Sequence, residues 1–167
     1  MLPLVCPAEA GDYSFFALRL QYDAMPTPFE NATLNLQLFE LRREPVLREA
    51  RAWFLADFNP ESLTDFVPIV SGDRNPSFRM VLGYWDMAAS LVTTGAIDGD
   101  AFRSAHTEVF ATFGKVQPFL NELRSASAEP DFCKHLEAVV MAEPDAIGIM
   151  TRRCAAIRAA AKTRAER

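Results

Sequence analysis

The stretch 75–102, NPSFRMVLGYWDMAASLVTTGAIDGDAF, constrains the fold more than any other part of the chain, because it holds a complete helix, its stop and the entry into a second helix. Asn75 is a favourable N-cap, and Pro76 suits the first helical turn, where its missing N–H has no partner to lose. Phe78, Val81, Leu82, Trp85, Ala88, Ala89 and Val92 then recur at helical period. The stripe predicts a helix of about five turns, ended by the left-handed residue that Gly95 supplies. Asp98 is placed to cap the next helix, with Ile97 before it and Phe102 after it spaced as a hydrophobic staple. Two helices joined this way are expected to form an antiparallel hairpin.

The same grammar extends over most of the chain. Leu34, Leu38 and Leu41 mark a helix that ends before Pro45, and PVLREARAWFLADF follows with Leu47, Ala50, Phe54 and Phe58 near one face. Asn59 and Pro60 predict a short helix through Leu63, Phe66 and Val67. Phe102, Ala105, Val109, Phe113, Val116, Leu120 and Leu123 keep one stripe, with a kink or brief break expected at Pro118. Pro130 and Pro144 open the last two expected helices.

Residues 1–29 do not follow this pattern. FFALRLQY alternates with a period of two yet is short enough to be helical, so strand, helix and coil all remain open. Tyr13, Phe15, Phe16 and Tyr22 make it the most aromatic part of the chain, and MPTPF reads as a linker. Such an arm either folds back on the body or docks on a partner, because large exposed aromatic patches are uncommon on monomers.

At 167 residues, half of them apolar, the chain can hold a core without disulfide or metal staples. Residues 1–143 carry 11 basic and 20 acidic side chains, and residues 144–167 carry 6 and 2. The acidic body makes nucleic acid an unfavourable partner. Cys6, Cys133 and Cys154 are odd in number and lack CxxC spacing, which fits a reducing, cytoplasmic setting. No run approaches the roughly 18 apolar residues of a membrane span, because Arg79 and Asp86 interrupt the best candidate. The first residues lack the basic start and apolar run of a signal peptide.

Few residues suggest chemistry. His106 with Glu108, and Cys133 with His135 and Cys154, do not match a metal-ligand spacing, and neither histidine stands beside a signature nucleophile. Neither a metal, a cofactor nor a catalytic set is therefore expected. On the central helix Arg79, Gly83, Asp86 and Ser90 share one side next to Trp85. Gly83 suggests a close helix crossing, and Asp86 suggests an ion pair with Arg42, Arg43 or Arg51. Arg42, Arg79, Trp85 and Asp86 are the candidate ligand or ion-pair cluster; Tyr13, Phe15, Phe16 and Tyr22 are the candidate docking residues. The basic end, with Arg152, Arg153, Arg158, Lys162, Arg164 and Arg167, matches the helix dipole and could also meet an acidic protein.

ELRREPVLREARAWF followed by FRMVLGYWDMAASLVTTGAIDGDAF resembles a family of small, all-helical bacterial proteins of unknown function. The likeness covers about residues 34–123 and rests on Leu41, Arg42, Trp53, Phe54, Trp85, Asp86, Gly95, Ile97 and Asp98. The resemblance implies an all-helical fold and brings no activity. Many members look membrane-anchored at the N-terminus, a feature without counterpart in this sequence.

These readings converge on a single all-α domain over residues 30–167, six or seven helices around a hairpin centred on Trp85 and Val109. The function expected is a non-enzymatic interaction or assembly subunit that binds itself or another protein. The alternative is a small-molecule binder or enzyme with a pocket between the first helices and the central one.

Overall fold

The computed structural model describes residues 26–165, and all its regular elements are helical. In order they are α1 (Pro28–Leu41), α2 (Pro45–Ala56), a 3-10 turn (Leu63–Phe66), α3 (Val67–Val70), α4 (Asn75–Thr93), α5 (Gly99–Ala105), α6 (Glu108–Val116), a 3-10 turn (Gln117–Phe119), α7 (Leu120–Ser127), α8 (Lys134–Met141) and α9 (Ala146–Ala165). The aromatic positions Tyr13, Phe15, Phe16 and Tyr22 lie outside the described residues.

α4 is the central helix. Phe78, Val81, Leu82, Tyr84, Trp85, Ala88 and Ala89 are buried on it, and its longest seams run along α8 and α2. Its end follows from Gly95, which takes φ +80° so that Ala96 N–H reaches the Leu91 carbonyl at 2.8 Å and Gly95 N–H that of Val92 at 2.9 Å. This is the paired-bond helix stop that a left-handed glycine permits. Asp98 then accepts the Ala101 N–H at 2.8 Å, and Ile97 and Phe102 are both buried beside this cap.

Several boundaries differ from the sequence reading. Asn75 does not cap α4; its amide donates to the Val70 carbonyl at 2.6 Å, and the residue before the helix, Arg74, makes no side-chain cap. MPTPF is not a linker throughout. Thr27 and Glu30 form a reciprocal capping box around Pro28, so α1 begins there. Pro60 precedes its helix, and the 3-10 turn starts at Leu63 because Asp65 accepts the Glu61 and Ser62 N–H groups. The helix expected from Pro130 starts four residues later, after Cys133 at φ 56°. The long stripe of residues 102–123 is three helices, interrupted at His106 and again by the 3-10 turn over Pro118, and α6 packs chiefly on α9. That second seam is close: a Cβ on Gly114 would lie 3.0 Å from Cys154 Sγ and Met150 Cβ.

Gly83 makes no close crossing. It is exposed, and a Cβ there would meet nothing within 4 Å. An open glycine inside a helix costs conformational entropy without a packing return. Gly83→Ala is expected to raise stability by about 1 kcal/mol, measured as an upward shift in the denaturant midpoint at constant slope.

Buried core residues come from every segment except α3 and the second 3-10 turn, whose Ile69 and Phe119 pack against the core half-buried. Phe54, Phe58, Phe66 and Phe78 pack mutually, with ring centroids from 5.0 to 6.1 Å apart for the pairs in contact. Aromatic rings at such distances bury large areas and favour tilted or edge contacts.

Candidate functional site

The polar residues that converge come from α1, α2, α4 and the α5–α6 junction. Arg42 ends α1 and lies over Trp85, its guanidinium carbon 5.2 Å from the ring centre, and over Phe39 at 5.6 Å. Its Nη1 donates to His106 Nδ1 at 3.3 Å, and Nη2 is 3.5 Å from Glu108 Oε2. Arg51, one helix on, grips Glu108 with two parallel bonds, Nε to Oε1 at 2.8 Å and Nη2 to Oε2, while Nη1 donates to the Arg42 carbonyl at 3.2 Å. The paired fork geometry is what makes arginine and carboxylate a strong, oriented couple.

His106 sits at the centre, with 1% of its surface exposed. A guanidinium can only donate, so Nδ1 is the acceptor and Nε2 carries the proton, which it donates to Asn35 Oδ1 at 3.0 Å. Asn35 in turn donates to Asn31 at 2.9 and 2.8 Å, which fixes the orientation of its amide. Burial, reinforced by the Arg42 charge, pushes the imidazole down to about 4, so the ring is neutral at physiological pH. Tyr84, edge-on to Trp85, donates to the Leu38 carbonyl at 2.6 Å, and burial pushes its phenol up to about 12.

A buried neutral histidine links stability to pH. Its folded pKa lies below the ordinary 6.5, so the unfolded chain takes up the proton first as the pH falls. Stability is expected to drop between pH 6.5 and about 4, by at most about 3 kcal/mol for this group, and the loss should level off below. Comparing unfolding free energies of wild type and His106→Gln across that window isolates the slope, which the variant should lack.

The structure brings Arg42 and Trp85 together and leaves the other two candidates elsewhere. Arg79 is exposed near the start of α4. Among the described residues Asp86 pairs with no arginine: its Oδ1 accepts the Leu136 N–H at 2.9 Å, in the first turn of α8. The residue at that helix's own cap position, Cys133, is left-handed and makes no side-chain cap, so a carboxylate from α4 takes over the task. The expected three-residue pocket of Arg42, Trp85 and Asp86 is therefore not assembled. Four clefts lined by described residues open away from Arg42, Trp85 and Asp86.

The candidate ligand sets are also dispersed. His135 meets Thr93 Oγ1 at 2.6 Å, Cys133 is buried beside α8, and Cys154 is buried 3.8 Å from the Ala111 carbonyl. Burial pushes the Cys133 thiol up to about 12 and raises that of Cys154, so both behave as small apolar groups. Among the described residues no group of three His, Cys, Asp or Glu is placed to hold a metal ion.

A second buried charge went unremarked in the sequence. Lys115 on α6, 5% exposed, donates to the carbonyls of Phe54 (2.9 Å), Leu55 (2.8 Å) and Phe58 (2.6 Å) and to Asn59 Oδ1 (3.0 Å). It thus caps the C-terminal end of α2, where the helix dipole is negative. Burial lowers the ammonium to about 8, which leaves it charged at neutral pH. The signal available was a lysine interrupting the apolar stripe between Phe113 and Val116.

Residues 28–142 match the family model described as Domain of unknown function (DUF4760). The chain belongs to this family. No curated protein and no solved structure is detectably similar. The DUF4760 match starts at the first residue of α1 and ends just after α8, so it includes Asn35, Arg42, Arg51, Trp85, His106, Glu108 and Lys115 and leaves out α9. The chain thus falls in a family of unknown function, as the resemblance implied. Among the described residues, no helix is long and apolar enough to cross a membrane.

Proposed function

We propose that this DUF4760 chain is a non-enzymatic interaction and assembly subunit that docks a second copy of itself on the outward face of α1. The observation that carries the reading is the imbalance of α1. The helix is apolar on several sides, with Phe29, Leu34, Leu36, Leu38, Phe39 and Leu41, yet Leu38 is its one buried residue. Phe29 is 79% exposed and Leu36 67%. A helix apolar around its circumference needs neighbours on more than one side. Beside Leu36 and Leu41 lies a shallow, mostly apolar depression of about 700 Å³, rimmed by Thr33, Gln37, Glu40 and Glu44.

The charged rim residues Glu40 and Glu44 are both acidic, but Arg43 stands beside them and pairs with Glu40 at 3.0 Å, so a two-fold contact can still bring opposite charges together. An antiparallel second α1 can set Arg43 opposite Glu40 or Glu44, so like charges need not face each other. The aromatic residues Tyr13, Phe15, Phe16 and Tyr22, ahead of α1 in the sequence, are the other candidate docking residues. The buried free thiols Cys133 and Cys154 fit a cytoplasmic setting for this role.

Light scattering over a concentration series tests the proposal on three chains: the full chain, one lacking residues 1–25, and the double variant Leu36→Asp, Leu41→Asp. The full chain is expected above its monomer mass of 18.6 kDa, and the double variant at that mass with its helical content retained, since both leucines are exposed. A full chain that is monomeric at every concentration would remove the self-assembly reading. Loss of assembly in the shortened chain alone would move the contact from α1 to the aromatic segment.

A further inference from the structure

A different face of the molecule carries a small cleft of about 250 Å³ between the start of α4, α7 and the loop that joins α7 to α8. Its bed is apolar, formed by Phe78, Leu123, Ala126 and Phe132 with Val70 at one end. Four polar side chains line it, and two are already committed. The Asn75 amide is held by the Val70 carbonyl and the Ser127 hydroxyl by the Leu123 carbonyl at 2.8 Å. The remaining two are Arg79 and Glu129, opposite charges on different elements, and neither makes an ion pair among the described residues.

The wall that carries Glu129 and Phe132 is held in a demanding conformation. Ala128 and Cys133 bracket it, both left-handed at φ 56° and neither a glycine. Each such residue costs about 1–2 kcal/mol, and strain of this kind persists where the surroundings over-determine the backbone. Here Arg124 supplies the constraint: its Nε donates to the Phe132 carbonyl at 3.0 Å, and its Nη2 bonds Glu137 at 2.8 Å. Asp86 anchors the start of α8 from beneath. The loop is therefore fixed in position before any ligand arrives, which lowers the ordering cost of binding.

We propose that this cleft binds a small apolar amino acid. Its carboxylate meets the Arg79 guanidinium, its ammonium meets Glu129, and its side chain lies on Phe78, Leu123 and Phe132. An apolar bed and two opposite charges without an ion-pair partner among the described residues match a zwitterion with a short apolar tail, whereas a simple acid would leave Glu129 unpaired beside it and a simple amine would leave Arg79 so.

Amide NMR spectra of the isotope-labelled full chain, titrated with leucine, isocaproate (leucine without its amino group) and isoamylamine (leucine without its carboxylate), test this. Saturable shifts are expected at Val70, Phe78, Leu123 and Phe132, with leucine bound about tenfold more tightly than either analogue. In Arg79→Gln leucine should fall to the affinity of isoamylamine, and in Glu129→Gln to that of isocaproate. Both side chains are exposed, so an unchanged thermal midpoint will verify that the variants are folded. Absence of saturable shifts in the cleft with leucine, or equal affinity for all three compounds in the wild type, overturns the proposal.

Discussion

Glu108→Ala is expected to destabilise the fold by about 3–5 kcal/mol. The carboxylate answers two guanidiniums at once, and the side chains of Arg42, Arg51 and Glu108 are only 16%, 13% and 14% exposed. Removing it leaves two positive charges close together with little water to solvate them. The hydrogen bonds that Arg51 donates to Glu108 raise its pKa above the ordinary value, while burial, with the neighbouring Arg51 charge, lowers that of Arg42. A double-mutant cycle separates the value of the pair from the penalty of the orphan. Glu108→Leu combined with Arg51→Met should recover a large part of the loss, because well-packed apolar groups replace a buried pair at little net cost. Urea unfolding of the single and double variants decides it. A Glu108→Ala loss below about 1 kcal/mol would mean that water reaches the cluster and screens it as it does a surface pair.

Lys115→Met should cost about 3 kcal/mol, through a different mechanism. Methionine fills much of the same space but donates nothing, so the carbonyls of Phe54, Leu55 and Phe58 lose a shared donor at the end of α2. Each buried acceptor left without a partner carries a desolvation penalty of about 1–3 kcal/mol. Lys115 also lines a cleft with Asn59, Gly114, Cys154 and Arg158, through which water can reach part of the vacated site, so the full sum is not expected. The local signature is as informative as the global one. Hydrogen exchange of the amides in the last turn of α2 should speed up more than exchange in α4, to which Lys115 donates no hydrogen bond. Uniform acceleration across both helices would place the ammonium's contribution in global packing instead of in the cap.

The local punctuation of this chain was readable because it depends on neighbours in sequence. Gly95 stops α4, Asp98 caps α5, and Ile97 and Phe102 are buried on either side of that cap as their spacing required. Pro118 breaks its stripe into a 3-10 turn as its ring demands. Thr27 and Glu30 were equally legible as a capping box, three residues apart around a proline, but the two prolines of MPTPF drew the reading toward a linker. The all-helical fold of an uncharacterised family was likewise legible in the helical periodicity and in the resemblance.

The polar interior belongs to the tertiary structure alone. Nothing local tells that Asp86 answers the N–H of Leu136, fifty positions away, because the need arises from the left-handed Cys133 at a cap that the chain meets only after folding. His106 and Glu108 looked like a failed metal motif. Their partners Arg42 and Arg51 lie on helices that reach them only when α1 and α2 pack beside α4. Lys115 looked like a polar intruder in an apolar stripe until the carbonyl end of α2 was set against it. Where a start or stop is set by groups within a turn of each other, as at Gly95 and Asp98, sequence alone determined it, whereas the start of α8 and the end of α2 are completed by Asp86 and Lys115 from other helices. Buried charges are tolerable only when a distant partner arrives with the right geometry, and that condition is met, or not, by packing.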